Sequence, residues 1–297
     1  MNYFWSNTIW YLLLLASSIA AITTTSMKSR DRRFTAAFNL SVLGFTYCIE
    51  VSLLILFNAY TYFPMLTPRD AFMDAVLGNI FSQISVSSTA VLCCVLGLRG
   101  RFVFVFAGVY YLIDLLFVHL GIYEHYWYRS IYTFWGFVIY CWIVKKWYVM
   151  LTKERNASEP RGAKLKKYLL TTTLFLAIFA AAGNTLFTTQ KVAGLQAFRS
   201  GIFSDASRDH TTTGLIYIPI MIALTILVYR WKRPAAYKVA ALLFLFACQW
   251  ALYGAGILVA IAGWFFFAAT IDILGFYFWT ALLDRLLTGS PPPSQSP

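Results

Sequence analysis

The amino-acid sequence predicts an all-α, polytopic membrane protein with about nine transmembrane helices. Three observations predict this fold class: the composition, the length of the apolar stretches, and the distribution of basic residues between the loops. Of the 297 residues, 60% are apolar and only 12% are charged, whereas a soluble domain carries about 25% charged residues. The composition excludes a soluble enzyme. We expect one transmembrane domain over residues 1–288 and a disordered Ser/Pro-rich tail over residues 289–297.

The apolar stretches have the length that a bilayer requires. A helix needs about 20 mostly apolar residues to cross the hydrocarbon, because every backbone polar group must be paired inside the segment. In chain order, the stretches are Tyr3–Thr24, Phe34–Phe57, Ala71–Leu98, Phe102–Leu120, Tyr126–Val144, Tyr168–Thr188, Thr213–Tyr229 and Val239–Leu283. The last stretch is roughly twice too long for one span, so we expect it to break within Gly254–Gly263 and to form two spans. The fifth is the weakest, because charged residues flank it closely.

Basic residues predict the orientation of the chain. Cytoplasmic loops collect Lys and Arg, and all but five of the 24 Lys and Arg fall in alternate loops, which would share one side of the membrane. The five exceptions are Arg69, Arg129, Lys191, Arg199 and Arg208. This bias predicts an outer N-terminus and a cytoplasmic C-terminus. It also accounts for the net charge of +12 without a nucleic-acid partner, and the residues beside the sixth span are candidates for contact with anionic lipid. They are Lys164, Lys166 and Lys167.

Motifs of several enzyme classes are missing from the sequence. It contains no G-x-x-x-x-G-K-[ST] phosphate loop, no G-x-S-x-G nucleophile turn and no H-E-x-x-H zinc motif. The five cysteines form no C-x-x-C pair, and only three histidines are present. We therefore expect no ATP-driven transport by this chain alone, and neither a metal nor another cofactor.

Ionisable residues inside apolar spans are the main candidates for function. A charge in the bilayer core costs at least a few kcal/mol, so such a residue is retained for a reason. Glu50, Asp114 and Asp272 lie well inside predicted spans two, four and nine, and Asp74 lies in the first turn of span three. No Lys or Arg is expected at the depth of the first three. We expect these three carboxyl groups to face a cavity open to the outside, or to be held protonated by burial.

The third span is the most polar. Asp74, Gly78, Ser82, Ser85 and Thr89 recur at helical spacing. The adjacent stripe carries Asn79 and Gln83. Small and hydroxylated residues let membrane helices pack closely, so the stripe indicates either helix packing or the wall of a substrate path.

The end of the fourth span combines polar and aromatic residues. Asp114, His119, Glu124 and His125 include two possible metal-ligand types, but their spacing is not that of a helical metal site. The neighbouring aromatic residues favour an interfacial belt instead.

Two short segments of the sequence are alike. The segment Ile113–Leu116 matches Ile271–Leu274, which is either a chance match or the remnant of an inverted repeat.

The middle of the chain resembles a known family. The segments Gly78–Gln83, Ser85–Thr89 and Leu120–Arg129 are similar to uncharacterised multi-pass proteins of Gram-positive, spore-forming bacteria. The resemblance covers about a third of the chain, implies a bacterial plasma membrane, and supplies no activity and no site residue.

Three functions remain open from the sequence. The leading hypothesis is a carrier or channel-like protein for a small solute or ion, with Glu50, Asp114 and Asp272 handling protons or cations. The second is a membrane-embedded enzyme that acts on a lipid or isoprenoid, for which Asp114 and His119 would supply the carboxylate and the imidazole. The third is a sensor or assembly partner in which the polar residues only hold helices together.

Overall fold

The computed structural model describes residues 3–156, 163–184, 190–261 and 263–289. The long helices are α1 (Ile9–Lys28), α2 (Arg32–Val51), α3 (Ala71–Val95), α4 (Gly100–His119), α5 (Ser130–Asn156), α6 (Ala163–Ile178), α7 (Ala206–Arg230), α8 (Ala235–Gly254) and α9 (Phe265–Thr288). Wider π-helical turns precede α1 and extend α2 and α6, at Phe4–Thr8, Ser52–Leu56 and Phe179–Asn184. Four short strands are β1 (Tyr60–Tyr62), β2 (Tyr123–His125), β3 (Gln196–Phe198) and β4 (Leu258–Ala260). Most of the predicted tail, residues 290–297, lies outside the described residues.

The architecture is that of a multi-pass membrane protein. Within the described residues, eight helical segments are long and apolar enough to cross a membrane, and α6 is the long helix outside that set. The outer surface of the bundle is apolar: Leu112, Leu227 and Phe244 are each more than 60% exposed, which suits contact with lipid rather than water. The nine spans of the sequence therefore stay a prediction, and eight is the number that length and composition support.

Helix boundaries bear on two of the predicted spans. The fifth predicted span is a full helix, because α5 continues past the basic residues Lys145 and Lys146 as far as Asn156. The long apolar stretch Val239–Leu283 is two helices, α8 and α9, with β4 between them. The break falls inside Gly254–Gly263, as expected, and Gly256 adopts a φ of +71° there, a conformation that glycine tolerates best.

The chain contains two copies of one four-helix plan. In each copy a helix with a π-helical end leads to a strand, two helices, a second strand and a final helix: α2 to α5 with β1 and β2, then α6 to α9 with β3 and β4. Residue 206, where α7 begins, follows residue 71, where α3 begins, by 135 positions, and the same offset relates α4 to α8, β2 to β4 and α5 to α9. Each copy has four helices, so counterpart helices such as α2 and α6 run in the same direction. Helix α1 precedes them.

This arrangement differs from the inverted repeat considered above. The counterpart of α4 is α8, and the counterpart of α9 is α5, so Ile113–Leu116 and Ile271–Leu274 occupy different places in the plan. The short match between those segments is therefore not the trace of a repeat.

Counterpart helices α2 and α6 join the two halves. They approach closely at Gly44, where an added Cβ would lie 1.9 Å from the carbonyl oxygen of Leu176. The hydroxyl of Ser41 on α2 donates to the carbonyl of Thr173 on α6, at 2.9 Å. Glycine at position 44 is thus required by the close approach of two backbones.

Two small antiparallel sheets close the same end of the bundle. Strand β1 pairs with β2, and β3 pairs with β4. The sheets are neighbours, since Arg208 at the start of α7 donates to the carbonyl of Ile55 at the end of α2, at 3.0 Å. The short links from α3 to α4 and from α7 to α8 lie at the opposite end, which carries Arg99 and Lys232.

Candidate binding cavity

A cavity of about 390 Å³ lies inside the first half, directly beneath the sheet of β1 and β2. Helices α1 to α5 and both strands contribute to its wall. The polar residues of the wall, other than tyrosines, are Thr46, Glu50, Ser82, Gln83, Asp114 and Thr133. Three of the six site residues predicted from the sequence, Glu50, Asp114 and Gln83, therefore meet in one cavity. None of the described residues in its wall is Lys, Arg or His.

Glu50 lies on the last turn of α2, where the helix widens into its π-helical end. Its carboxylate accepts a hydrogen bond from the hydroxyl of Tyr60, the first residue of β1. The tyrosine is completely enclosed, with 2% of its surface exposed. The strand thus holds one side of the glutamate, which lines the cavity.

Asp114 lies on α4 and is 7% exposed. The hydroxyl of Thr133 on α5 donates to its Oδ2 at 2.7 Å, and the hydroxyl of Tyr128 is 3.2 Å from that of Thr133. Its second oxygen, Oδ1, has no hydrogen-bond partner among the described residues. The imidazole of His125 is close by, with its Nε2 3.4 Å from Oδ1. Oδ1 is therefore an acceptor that a hydrogen-bond donor or a positive charge of a ligand could contact.

Aromatic side chains make up most of the remaining wall. Seven tyrosines line it: Tyr60, Tyr62, Tyr110, Tyr123, Tyr128, Tyr132 and Tyr140. The rings of Tyr62 and Tyr123 stack across the sheet with their centroids 4.5 Å apart. Burial raises the pKa of both phenols well above the usual value, so they remain neutral. The cavity wall therefore combines aromatic rings with two carboxyl groups.

The polar stripe of α3 is divided between helix packing and the cavity. Ser85 and Thr89 both contact the hydroxyl of Tyr110 on α4, each at 2.9 Å. Gln83 lines the cavity, donates to Asn79 at 3.2 Å, and leaves its own Oε1 without a partner among the described residues. Ser85 and Thr89 thus hold helices together, whereas Gln83 lines the cavity, and a substrate path along this helix stays a prediction.

Asp74 and Asn79 lie outside the cavity. The carboxylate of Asp74 is 2% exposed and accepts the backbone N–H groups of Met65, Leu66 and Thr67, at 2.7–2.8 Å. Asp74 therefore fixes the loop before its own helix. Asn79 faces a small pocket of about 40 Å³ between the two halves.

Asp272 belongs to a second polar centre, in the other half of the protein. Its two oxygens accept one amide N–H each, from Gln190 and Gln196, both at 2.9 Å. Gln196 is the first residue of β3, as Tyr60 is the first residue of β1. Each half thus places a carboxylate beneath its sheet and holds it with the first residue of a strand. The three acids do not share one cavity.

The residues of the cavity are not repeated in the second half. The counterpart of Asp114, 135 positions later, is Gln249, and the counterparts of Tyr123 and Thr133 are Leu258 and Ala268. The amide of Gln249 donates to the hydroxyl of Tyr217. The two halves share a backbone plan, but only the first carries the acidic and aromatic wall.

The histidine beside Asp114 differs from the one predicted. His119 is exposed at the end of α4 and does not contact Asp114, whereas His125 of β2 lies next to it. The reason is that residues 123–125 form strand β2, whose pairing with β1 places His125 beside the cavity. Glu124 is exposed, and no group of three possible metal ligands occurs among the residues described.

Several residues of the site were not predicted from the sequence. Thr133, Gln190 and Gln196 reach the carboxylates from distant parts of the chain, and such contacts leave no local pattern. Tyr60 is different. Tyr60 and Tyr62 alternate with Thr61 and face Tyr123 and His125, so period-two alternation in a loop was a readable sign of a strand.

The fold and this cavity define the class of protein: a multi-pass membrane protein with an acidic, aromatic cavity at one end of its bundle. No known protein family, curated protein or solved structure matches the chain.

Proposed function

We propose that the protein binds a small cationic solute in the cavity beneath the first sheet and acts as a membrane carrier for it. One observation carries the proposal. Glu50 and Asp114 lie in the wall of the same tyrosine-lined cavity, and none of the wall residues described is basic.

The chemistry of the wall favours a cation over an anion or a neutral solute. Two carboxyl groups with no adjacent Lys or Arg give the cavity a negative potential when ionised. Aromatic faces attract quaternary ammonium groups through their quadrupole, and a ring of tyrosines adds to this attraction. Oδ1 of Asp114 has no hydrogen-bond partner among the described residues. It can therefore contact the positive charge of the bound solute.

The architecture supports the carrier role. Many carriers consist of structural repeats, including repeats that run in parallel. The two four-helix halves of this chain are repeats of this parallel kind. The charge distribution supports an orientation with the sheets outside and the basic ends in the cytoplasm. The resemblance of the middle of the chain to proteins of spore-forming bacteria favours a bacterial plasma membrane as the location.

A membrane-embedded enzyme is the second candidate, and one contact favours it. The imidazole Nε2 of His125 lies 3.4 Å from Asp114, and a histidine beside a carboxylate is a common general base. A lipid with an ester or phosphate group near the outer surface would be its substrate. Accumulation of a changed lipid in cells that produce the protein, and its loss in His125→Ala, would favour this alternative.

The carrier is tested by uptake of choline, a permanent cation, into liposomes that contain the purified protein. We expect saturable uptake with the wild type, and at least a tenfold loss with Glu50→Gln or Asp114→Asn. Glu124→Gln is the matched control, because Glu124 is exposed and outside the cavity. Wild-type uptake equal to that of empty liposomes would contradict the carrier role.

A further inference from the structure

We infer that the cavity opens sideways into the lipid, between α2 and α5, and that its ligand is an amphipathic ammonium compound whose apolar part enters from the membrane. This inference rests on the proposed function and narrows it, because it separates a lipid-soluble cation from a water-soluble one.

The exposed part of the wall lies on one side only. Ile49 is 39% exposed, Trp127 is 51% exposed and Tyr132 is 46% exposed, and Gly136 is also exposed. Every other described residue of the wall is buried or half-buried. The exposed four lie on the end of α2, in the segment before α5, and on the first turns of α5. The gap between these elements is therefore the opening.

Two hydrogen bonds limit the opening along the bundle axis. On the far side of the gap from the sheet, the hydroxyl of Thr46 on α2 contacts that of Tyr140 on α5, at 2.6 Å. At the sheet end, the indole N–H of Trp127 donates to the carbonyl of Phe57, at 2.8 Å. From Tyr132 to Tyr140 the helix rises about 12 Å. The opening is thus a window in the side of the bundle.

The window faces hydrocarbon. It lies along the first turns of α5, within the membrane-crossing segment Ser130–Lys153, and its rim is apolar or aromatic. Phe57, at the edge of the window nearest the sheet, is 62% exposed. An alkyl chain leaving the cavity by this route would pass directly into lipid, while its ammonium group stays beside Glu50 and Asp114. A hydrophilic ion would gain nothing from such a path.

The test compares two ammonium compounds with the same trimethylammonium head, choline and dodecyltrimethylammonium, bound to the full chain in lipid nanodiscs. We expect the long-chain compound to bind at least tenfold more tightly than choline, after subtraction of its binding to empty nanodiscs. Gly136→Trp fills the window, because an added Cβ at Gly136 meets no atom within 4 Å. This variant is expected to bind the long-chain compound at least tenfold more weakly than the wild type.

Gly108→Trp is the matched control. Gly108 on α4 also has free space around an added Cβ but does not line the cavity, so we expect binding within twofold of the wild type. Ile49→Trp narrows the window from the opposite side and repeats the test if Gly136→Trp does not fold. If the wild type binds neither compound, the proposed function fails. If it binds choline at least as tightly as the long-chain compound, or if window variants bind as the wild type does, only the lateral window fails.

Discussion

Asp74 and Asp209 perform the same task in the two halves of the protein. Asp74 accepts three backbone N–H groups from the loop after β1, and Asp209, 135 residues later, accepts three from the loop after β3, those of Gly201, Ile202 and Phe203. Each aspartate lies four residues after an N-capping aspartate, Asp70 or Asp205. Two helices that begin in the same way and fix their loops in the same way are strong support for a duplicated plan.

Replacing either aspartate with asparagine is expected to destabilise the protein. The loop N–H groups are donors, and an asparagine offers them only one acceptor oxygen and adds a competing donor. The loss of charged hydrogen bonds should cost about 1–3 kcal/mol in each variant. Thermal unfolding in detergent measures the effect, with Glu124→Gln as the control. Equal melting temperatures for Asp74→Asn and the wild type would contradict the role of this residue as a loop anchor.

The contact between the two halves depends on a glycine. Gly44→Ala would place a Cβ 1.9 Å from the carbonyl oxygen of Leu176, so α2 and α6 must separate. Overpacking of this kind costs about 1–3 kcal/mol. We expect a clearly lower melting temperature than for Gly108→Ala, whose new methyl group meets no atom within 4 Å. Equal melting temperatures for Gly44→Ala and Gly108→Ala would contradict the close contact between α2 and α6.

A change of charge should affect choline binding at Asp114 and the stability of the protein at the counterpart position, Gln249. Asp114→Asn is expected to fold and to lose choline binding, because Asp114 has a cavity beside it. Gln249→Glu places a carboxylate at a residue that is only 1% exposed, which should cost several kcal/mol of stability. We expect this variant to melt earlier and to bind no additional choline. Calorimetric titration measures the binding and thermal unfolding measures the stability. A stable Gln249→Glu protein with a second binding site would contradict the assignment of the cation site to the first half alone.

The orientation is tested by labelling single cysteines in intact cells. After replacement of the five native cysteines, Glu124→Cys at the sheet end should react with a membrane-impermeant maleimide. Arg233→Cys, at the opposite end, should react only after the membrane is opened. A reporter fused after Lys167 should likewise be cytoplasmic. The reverse labelling pattern would place the sheets and the cavity on the cytoplasmic side.

The helices could be predicted well because their formation depends on the apolar residues of each local segment. Apolar length alone located α1 to α9, including the break between α8 and α9, and the scarcity of charge singled out Glu50, Asp114 and Asp272. The four strands were missed, because three residues in a loop carry little pattern and gain their stability from a partner about 60 residues away. The contact of Asp114 with His125 follows from such a pairing, so it could not be derived before the strands were known.

The duplication leaves a trace in the sequence. Asp70-Ala71-x-x-Asp74 recurs as Asp205-Ala206-x-x-Asp209, and Gly121-Ile122 recurs as Gly256-Ile257, all at a spacing of 135 residues. Both glycines have a positive φ, +67° and +71°. These residues form turns and caps rather than an apolar pattern, so a comparison of apolar segments such as Ile113–Leu116 and Ile271–Leu274 does not reveal the duplication.

Binding of a permanent cation to the cavity is the most direct test of the central claim. The measurement is calorimetric titration of the purified protein with choline and with 3,3-dimethylbutan-1-ol, a neutral molecule of the same shape. We predict that the wild type binds choline at least tenfold more tightly than the alcohol, about 1.4 kcal/mol, and that the double variant Glu50→Gln, Asp114→Asn loses this preference while remaining folded. Equal affinity for the two molecules in the wild type, or an unchanged preference in the double variant, would contradict a cation site at these two carboxylates.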